Sequence, residues 1–518
     1  MVAVASKPKT VEIAFPGFAG GAGAYEHEEG RYGIGLGFDG RFGFGGPGPR
    51  EVVDRTGIAA GFRVIKAIRH NDIPWVLTYN GTDTKVYRIE SAVWVEKKNT
   101  AAAEPQDLVS MKGVIAIGYG TVQAFDFSSD NGTAWTASTS TANAGKITRA
   151  HLLQTGLTAA RVSYVVDPDE LYYRTNLNNS VTPSTSSTIG DNQVAQDFFT
   201  SLTTDDSGAL LIGKRHALFS IDNQGTVIKL SPDYPDPPAD AGGQGDRDNF
   251  ETYAQIEGRT FYVVSGYEII EYYHGQINEY LAPKWAGPQI PRMHLPINCL
   301  VAAGQELIAF LGSKNTSTLK SVVNAPGGTA LLQNTFGTTS DMWAMRYVEG
   351  VAVWHGVMLE TTDPLRYAWR DEDDGYIYLC SGDSEAVNAQ QRRLFFSLVA
   401  PQTHTISSAV TLATAQWRCE SGRIGTALGN SFRLKRFEAN TLGLATTNPT
   451  MEILYRPFPD AETTAYRSLV TWNDNFNPRR GVMFPPWQTT RVAYLDFRGT
   501  GTGNTYAILL GANLEIEV

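Results

Sequence analysis

The feature that most constrains this chain is a short phrase that recurs along it: an apolar strand, a glycine-centred turn and a second apolar strand. Strands of this length, bounded by Gly, Asn, Asp and Pro, are typical of antiparallel hairpins, and helical periods are few. The chain is therefore expected to be all-β. The phrase occurs in WVLTYNGTDTKVYRI (75–89), VIAIGYGTVQAFDF (114–127), ALLIGKRHALFSIDNQGTVIKL (209–230), TYAQIEGRTFYVVSGYEIIEYYHGQINEY (252–280) and CLVAAGQELIAFLGS (299–313).

The spacing of these phrases points to a β-propeller. They begin at residues 75, 114, 209, 252 and 299, and neighbouring ones recur at roughly the 40 to 50 residues of a four-stranded blade. ARVSYVVDPDELYYRTN (160–176) fills the longer step from 114 to 209. We expect residues 51–412 to form a propeller of roughly six to eight blades, with seven favoured. A set of β-sandwiches would also show short, regularly spaced strands and stays open as an alternative.

The pattern changes near residue 413, where longer strand candidates begin. PTMEILYR, TTRVAYLDFRGTG and YAILLGANLEIEV are separated by the loop DNFNPRRGVMFPPW. In LKRFEANTL, strand alternation predicts Leu434, Arg436 and Glu438 on one side of a sheet. Residues 413–518 are predicted to form an antiparallel β-sandwich.

Residues 1–50 contain a glycine-rich segment, GFAGGAGAYEHEEGRYGIGLGFDGRFGFGGPGPR (17–50). So much glycine makes an independent core costly in backbone entropy. We expect an arm that gains order by laying its aromatic side chains on another surface, with a disordered tail as the alternative. The candidate subunit-docking residues are Tyr25, Tyr32, Phe38, Phe42 and Phe44.

Composition narrows the function further. The 518 residues exceed the ~250 to 300 at which single cores stop growing, so two or more units are expected. The net charge of -10 does not indicate the basic surface that nucleic-acid binding needs. Cys299, Cys380 and Cys419 are widely spaced, which argues against a disulfide framework or a thiolate metal site. The sequence shows neither a signal-peptide pattern nor a run of ~20 apolar residues, so we expect the chain to be made in a cytoplasm without a membrane span.

The stretch SSDNGTAW (128–135) fits S-x-D-x-G-x-x-W, the Asp-box pattern of blade hairpins in sialidases and other β-propellers. We interpret its motif residues as structural: Asp130 and Gly132 make the turn, and Trp135 starts the returning strand and buries its indole. Ser128 completes the motif. None of these atoms is required to touch a substrate. A degenerate copy, TDDSGALL (204–211), has leucine at the tryptophan position.

The catalytic signatures of propeller and other hydrolases are missing from the sequence. A sialidase would need an F/Y-R-I-P stretch with the first arginine of a carboxylate-binding triad, but Arg63 lies in GFRVIK and Arg88 in YRIES. No G-x-S-x-G elbow, H-E-x-x-H pair or Walker loop occurs, and the eight histidines are scattered singly. We therefore expect no catalytic, cofactor-binding or metal-binding residues, and no cofactor.

Two acidic clusters and one tyrosine cluster offer alternatives. DPDE (167–170) and DEDDG (371–375) could supply oxygen ligands for calcium or an acid–base pair, but their spacing does not fit a D-x-D-x-D-G loop. We interpret both as solvated turns. Tyr272, Tyr273 and Tyr280 could form a sugar-stacking or protein-docking surface, with core packing explaining some of them.

The layout resembles virion structural proteins of tailed bacteriophages, of the tail, nozzle or minor-tail kind. The residues that carry the resemblance are GRTFYVVSGYEIIEYYHG and the closing runs WRCESGRIGTALGNSFRLKRFEANTL and RVAYLDFRGTGTGNTYAILLGANLEIEV. The resemblance implies a non-catalytic part of the virion, present in several copies and assembled into a ring or collar. Its implied partners are other copies of itself and neighbouring virion proteins, with possible transient passage of DNA without specific binding.

The alternative function is a host-surface glycan-binding or glycan-cleaving propeller of sialidase-like architecture, which the Asp-box and the tyrosines motivate. A cellular propeller scaffold stays open as a third class. It would be expected to show regular WD or kelch repeats, which this sequence lacks.

Overall fold

In the computed structural model of the chain, the described residues form strands joined by turns. They are 8–13, 34–36, 38–40, 45–47, 50–52, 57–111, 113–119, 125–137, 149–155, 159–166, 170–174, 184–189, 198–221, 226–236, 248–266, 268–281, 284–287, 290–294, 297–312, 340–348, 351–356, 365–371, 376–381, 391–395, 415–421, 424, 431–444, 449–456, 467–473, 479–484, 489–490, 493–502 and 505–517. The expectation of an all-β chain is confirmed.

The first half of the chain contains the following strands. The N-terminal segment has β1 (Lys9–Ile13), β2 (Ile34–Leu36), β3 (Phe38–Asp39), β4 (Gly46–Pro47) and β5 (Arg50–Val52). Two four-stranded sheets follow, with β6 (Arg63–His70), β7 (Ile73–Tyr79), β8 (Thr84–Glu90), β9 (Val93–Thr100), β10 (Asp107–Met111), β11 (Val114–Gly118), β12 (Asp126–Ser128) and β13 (Thr136–Ala137). The third four-stranded sheet consists of β14 (Arg149–Thr155), β15 (Ala159–Val166), β16 (Glu170–Arg174) and β17 (Ser184–Thr188). The fourth consists of β18 (Phe199–Thr204), β19 (Leu210–Lys214), β20 (Leu218–Ile221) and β21 (Val227–Lys229).

The second half continues the series and ends in larger sheets. Its strands up to residue 395 are β22 (Tyr253–Ile256), β23 (Arg259–Val264), β24 (Glu268–Tyr273), β25 (Gln276–Leu281), β26 (Lys284–Gly287), β27 (Ile290–His294), β28 (Ile297–Ala303), β29 (Glu306–Gly312), β30 (Ser340–Val348), β31 (Val351–Gly356), β32 (Leu365–Arg370), β33 (Tyr376–Ser381) and β34 (Gln391–Phe395). The C-terminal strands are β35 (Ala415–Glu420), β36 (Phe432–Leu442), β37 (Met451–Arg456), β38 (Arg467–Trp472), β39 (Arg479–Met483), β40 (Thr489–Thr490), β41 (Tyr494–Thr502), β42 (Thr505–Tyr506) and β43 (Ile508–Glu517).

The strands from β5 to β34 form a β-propeller. Among the described residues they make seven four-stranded antiparallel sheets, six of which use strands consecutive in the chain, and one two-stranded sheet, β26-β27. The last four-stranded sheet has the order β32-β33-β34-β5, so the N-terminal strand β5 completes it. The first strands of neighbouring sheets contact one another at five boundaries, β6–β10, β10–β14, β14–β18, β22–β28 and β28–β32, and β32 contacts β6, which brings the last sheet against the first.

Apolar side chains pack between neighbouring sheets. Trp75 and Leu77 of the first sheet share a buried cluster with Leu108 and Ile117 of the second. On the other side of the first sheet, a second cluster extends to Trp369 of the last. The hydrophobic core of the propeller is therefore a ring of inter-sheet layers, as expected for blades that bury both faces.

The phrases found in the sequence do not all begin at the same strand. Those at 75, 114 and 209 begin within two residues of the start of the second strand of a sheet, whereas those at 252 and 299 begin within two residues of the start of the first. The first strands RVIKAIRH and DLVSM carry charged and polar residues, so they do not read as apolar strands. The pattern detected the hairpins but not the start of each sheet.

Two larger sheets lie at the end of the chain. One has the order β1-β43-β36-β39, with β40 also paired to β36, and the other has the order β2-β35-β41-β37-β38, with β42 paired to β41. Their facing sides share one core, in which Phe437 of the first sheet lies 6.0 Å from Phe497 of the second, between ring centroids. Trp417 packs on Gly499, where a Cβ atom would lie 2.2 Å from the indole, and its Nε1 donates to the Ala507 carbonyl at 2.8 Å.

Strand β36 corrects one expectation of side-chain orientation. Leu434 is buried, but Arg436 is exposed and Phe437 occupies the core. A register shift between Leu434 and Arg436 inserts one extra residue, which reverses the alternation predicted for Leu434 and Arg436.

The described parts of the N-terminal arm belong to sheets of their own chain. Strand β1 pairs with β43, β2 pairs with β35, and Gly45 exchanges backbone hydrogen bonds with Leu509 at 2.7 and 2.8 Å. Phe38 lies in β3, which pairs with β4. Tyr25, Tyr32, Phe42 and Phe44 lie outside the described residues.

Candidate functional site: the central channel and the Asp-box turn

The first strands of six of the seven four-stranded sheets line a cavity of about 600 Å³, which we call the channel. A volume of this size is typical of small-molecule pockets. Strands β6, β10, β18, β22, β28 and β32 contribute to its lining. The charged side chains among the described lining residues are Lys66, Arg69, Asp107, Glu251 and Arg370.

Lys66 and Asp107 form an ion pair across the boundary between the first two sheets. Lys66 Nζ donates to Asp107 Oδ1, and the Asp107 side chain is only 2% exposed. Burial alone would lower the pKa of Lys66, but the Asp107 carboxylate, with smaller contributions from Tyr253 and Tyr367, raises the pKa above its ordinary value. Lys66 therefore stays charged and bound to Asp107 at neutral pH.

Arg69 makes the corresponding contact with the last sheet. Its guanidinium lies 3.1 Å from Asp371 Oδ1, and it also donates to the Asp72 carbonyl at 2.8 Å. Asp371 is buried, so the interpretation of DEDDG (371–375) as a solvated turn is wrong for its first residue. The remaining residues of that cluster, and 167–169 of DPDE, lie outside the described residues.

Sequence reasoning missed these channel residues. Lys66 and Arg69 alternate with apolar residues in the strand RVIKAIRH, and Asp107 begins DLVSM. A charge inside an apolar strand is a signal that the side chain has a buried partner. The partner of Lys66 is 41 residues away, however, and the partner of Arg69 is 302 residues away, so no local pattern identifies them.

The Asp-box residues form the tight turn between β12 and β13. Asp130 Oδ1 accepts hydrogen bonds from Ser128 Oγ at 2.7 Å and from the Ala134 amide at 2.9 Å. Ser128 Oγ in turn accepts from the Gly132 amide at 2.9 Å. The Ala134 amide and the Ser128 hydroxyl lower the pKa of Asp130, because both stabilise its charged form. The Asp130 carboxylate thus accepts hydrogen bonds from within the turn.

The same turn is held against the neighbouring sheet. Asn131 and Gly132 both have positive φ, 56° and 79°, and Gly132 lies directly on Trp75, so that a Cβ atom would come within 2.6 Å of the indole. Arg88 Nη1 donates to the Asn131 carbonyl at 2.8 Å, and Asn71 Nδ2 donates to Asn131 Oδ1 at 2.6 Å. Trp135 is partly buried and packs against the cluster that contains Trp75.

Other turns on this side of the propeller also contact the adjacent sheet. Gln255 donates to the Thr204 carbonyl at 2.7 Å, and Gln305 donates to Glu257 at 3.0 Å. In the degenerate Asp-box, Asp205 accepts from the Ala209 amide within the turn and from Tyr272 of the next sheet at 3.3 Å. Polar side chains at these turns therefore bind neighbouring sheets.

The tyrosine cluster divides between core and surface. Tyr272 is buried and bonded to Asp205. Tyr273 is half-buried, and its ring lies 4.7 Å from the Arg259 guanidinium and 4.0 Å from the His274 ring. Strand β25 contains Tyr280. The Tyr273 ring therefore contacts side chains of its own sheet.

Within the part of the chain that the structure describes, no group of three or more His, Cys, Asp or Glu residues is placed to hold a metal ion. In the same residues, no helix long and apolar enough to cross a membrane is present.

Comparisons with known proteins give structural matches only. No protein-family model matches the chain, and no curated protein matches its sequence. Among solved structures, the chain is similar to the β-propeller domain of Cps50 (Swd1) from Myceliophteria thermophila, with 9% identity and a TM-score of 0.41 over 67% of this chain and 99% of that one. It is also similar to the WD40 repeats of RRP9, with 6% identity and a TM-score of 0.44 over 68% of this chain and 98% of that one.

A third similar structure is an extracellular domain whose name ascribes it to a hybrid two component system of B. thetaiotaomicron. The identity is 10% and the TM-score 0.44, over 79% of this chain. This chain spans 44% of the length of that protein. Likenesses of this degree carry no argument about the function of this chain.

Proposed function

We propose that this chain is a non-catalytic structural protein of a tailed-phage virion, in which a seven-bladed propeller and a C-terminal β-sandwich provide rigid contacts between subunits. The resemblance of its blade phrase and closing runs to tail, nozzle and minor-tail proteins supplies the class. The protein would be made in the host cytoplasm and reside in the virion, in a tail or tail-associated ring.

The observation that supports this proposal best is that two cationic residues of the channel form ion pairs with neighbouring sheets. Lys66 and Arg69 bind Asp107 and Asp371 on the two flanking sheets, so these groups join neighbouring sheets. The carboxylates of both pairs are buried and the cations are partly exposed, so removing a cation would leave a buried carboxylate without its counter-charge, which is destabilising. Such pairs favour a rigid body over a site whose charges must bind and release a substrate.

The Asp-box also supports a structural role. Its carboxylate is bonded within the turn, and its Asn131 and Gly132 pack on the neighbouring sheet. In the proposed function this motif is a connector between sheets. The aromatic residues of the arm remain the proposed contact with neighbouring copies, although β1 and β2 pair within their own chain.

We propose that DNA passes, without specific binding, through an opening formed by several copies. The propeller channel holds about 600 Å³, and the ion pairs Lys66–Asp107 and Arg69–Asp371 lie at boundaries between its sheets. A space of this size accommodates a small molecule.

The test is the mass of the purified chain in solution, measured by native mass spectrometry over a range of concentrations. We expect closed oligomers of one stoichiometry, because subunits with rotational symmetry assemble into rings. A matched assay on glycan arrays, sialosides and host-surface polysaccharide addresses the alternative function. A strict monomer that binds or hydrolyses a glycan would overturn the structural proposal.

A further inference from the structure

Two turns of the first two propeller sheets contain the same three residues, Asn-Gly-Thr. Asn80 and Gly81 lie between β7 and β8, and Asn131 and Gly132 lie between β12 and β13. An asparagine followed by glycine can lose its side-chain amide when the glycine nitrogen attacks Cγ, because glycine has no side chain to obstruct the attack. Since the two sites share their sequence, the folded structure decides which of them reacts.

The side chain of Asn80 is held and polarised by its own turn. Its Oδ1 accepts hydrogen bonds from the Thr82 amide at 2.9 Å and from the Asp83 amide at 2.6 Å. Both donors are main-chain N–H groups, so the acceptor must be the oxygen, and the orientation of the Asn80 amide is fixed. Donors aimed at a carbonyl oxygen stabilise the negative charge that develops when a nucleophile adds to its carbon. Cγ of Asn80 is therefore activated for attack.

The attacking nitrogen at this site belongs to Gly81. Gly81 is exposed, and within the part of the chain that the structure describes its amide has no hydrogen-bond partner. The ring that would form contains Cγ, Cβ, Cα and the carbonyl carbon of Asn80, together with the Gly81 nitrogen. All five atoms already lie in the loop that the hydrogen bond from Thr82 to Asn80 closes. Ring closure therefore does not require that bond to break.

The corresponding atoms of the Asp-box turn are engaged in other contacts. The Gly132 amide donates to Ser128 Oγ at 2.9 Å, and Gly132 is buried against Trp75. The side-chain amides of Asn131 and Asn71 are hydrogen bonded to each other, with 2.6 Å between the bonded atoms. Attack at Asn131 would break the bond to Ser128 and move the side chain away from Asn71. This turn therefore protects its asparagine.

We propose that Asn80 is a site of spontaneous deamidation in the folded chain, whereas Asn131 is protected. Hydroxide removes the proton from the Gly81 nitrogen, which bonds to Cγ of Asn80. The bond from Cγ to Nδ2 then breaks, and Nδ2 takes up a proton and leaves as ammonia, so that a succinimide remains. Water opens this ring at either carbonyl and gives aspartate or isoaspartate. Overall one water is consumed and one ammonia is released.

The modification changes the turn between β7 and β8. Both products place a carboxylate at residue 80, in the same turn as Asp83, whose own carboxylate accepts a hydrogen bond from the Ala102 amide at 3.2 Å. In isoaspartate the main chain also runs through Cβ and Cγ, which lengthens the turn by one methylene group. The effect is local to the first propeller sheet and is independent of the proposed function in the virion.

The test is incubation of the full-length chain at pH 8.5, with peptide mapping by mass spectrometry over time. Both Asn-Gly peptides are read in each sample, and a parallel sample in guanidinium chloride gives their rates in the unfolded chain. After division by the ratio in denaturant, Asn80 should react at least roughly threefold faster than Asn131 in the folded chain, because its reacting groups are held in place. It should also react at least as fast in the folded chain as in denaturant.

A smaller corrected ratio would overturn the proposal, as would slower deamidation of Asn80 in the folded chain than in denaturant. This comparison is made within the wild-type chain and does not depend on the folding of any variant.

A variant tests the protection of Asn131 separately. S128A removes the acceptor of the Gly132 amide, so deamidation of Asn131 should accelerate by roughly threefold or more, as for the loss of one hydrogen bond, while the rate at Asn80 stays that of the wild type. S207A is the matched control, because Ser207 donates to Asp205 at 2.6 Å in the degenerate Asp-box, and it should leave both rates unchanged. An unchanged rate at Asn131 in S128A would overturn the explanation of its protection.

Discussion

Gly132 of the Asp-box packs against the neighbouring sheet. Its φ of 79° disfavours any residue with a Cβ atom, and the indole of Trp75 occupies the space that such an atom would need. The motif thus needs glycine for two independent reasons. The first was predictable from the Asn-Gly turn, but the second depends on a contact with a residue 57 positions earlier in the chain.

The two reasons can be separated by comparing G132A with G208A. Gly208 has a similar φ of 83°, but nothing lies within 4 Å of the position of its Cβ. G208A should lower the free energy of unfolding by about 1–2 kcal/mol through backbone strain. G132A should cost about 1–3 kcal/mol more, because the methyl group overpacks Trp75. Urea unfolding followed by tryptophan fluorescence measures both, and equal losses would contradict the packing argument.

At the scale of elements, strand β5 shows that the N-terminal segment completes the propeller. It pairs with β34 through Val52 and Arg393, Glu51 and Leu394, and Arg50 and Phe395. Without it, β34 would present an unpaired edge, which weakens its sheet and invites pairing with another chain. Removing the arm together with β5, through Val52, therefore has a structural effect in addition to any effect on docking.

Two truncations that differ only in β5 test this role. Deleting residues 1–49 retains Arg50–Val52, and deleting residues 1–52 removes it, while β1 to β4 are absent from both. In the longer deletion, amide protection of Gln391–Phe395 should fall by roughly tenfold or more relative to the shorter one, because each lost ladder hydrogen bond contributes about 0.5–1.5 kcal/mol. Hydrogen exchange with mass spectrometry gives the comparison. Equal protection in both would mean that β5 does not support β34.

The sequence predicted some of these elements well and others poorly, for identifiable reasons. Strands such as β11 and β23 are apolar because both faces are buried, and their glycine turns marked them clearly. The channel-lining strand β6 was missed because its charges have partners on distant sheets. In β36, a single extra residue reversed the predicted sides, and short-range patterns do not encode such a shift.

At the scale of the whole molecule, the two ends of the chain meet. Strand β1 pairs along β43, so the first described strand adds to the last one, while β5 adds to the last propeller sheet. The segment predicted as an arm therefore contributes β1 and β2 to the two C-terminal sheets, and β5, which begins at the last residue of that segment, extends the last propeller sheet. A body tied together in this way is suited to carrying load between neighbours, which is what the proposed virion role requires.

Cryo-electron microscopy of particles from the source of this chain would test whether the chain is a structural part of a virion. We expect several copies in a symmetric ring at the tail, each with β5 closing its propeller and the Lys66–Asp107 and Arg69–Asp371 pairs intact. Particles in which no density fits the chain would contradict the proposed virion role, as would a chain that projects singly from the particle with a glycan bound in its channel.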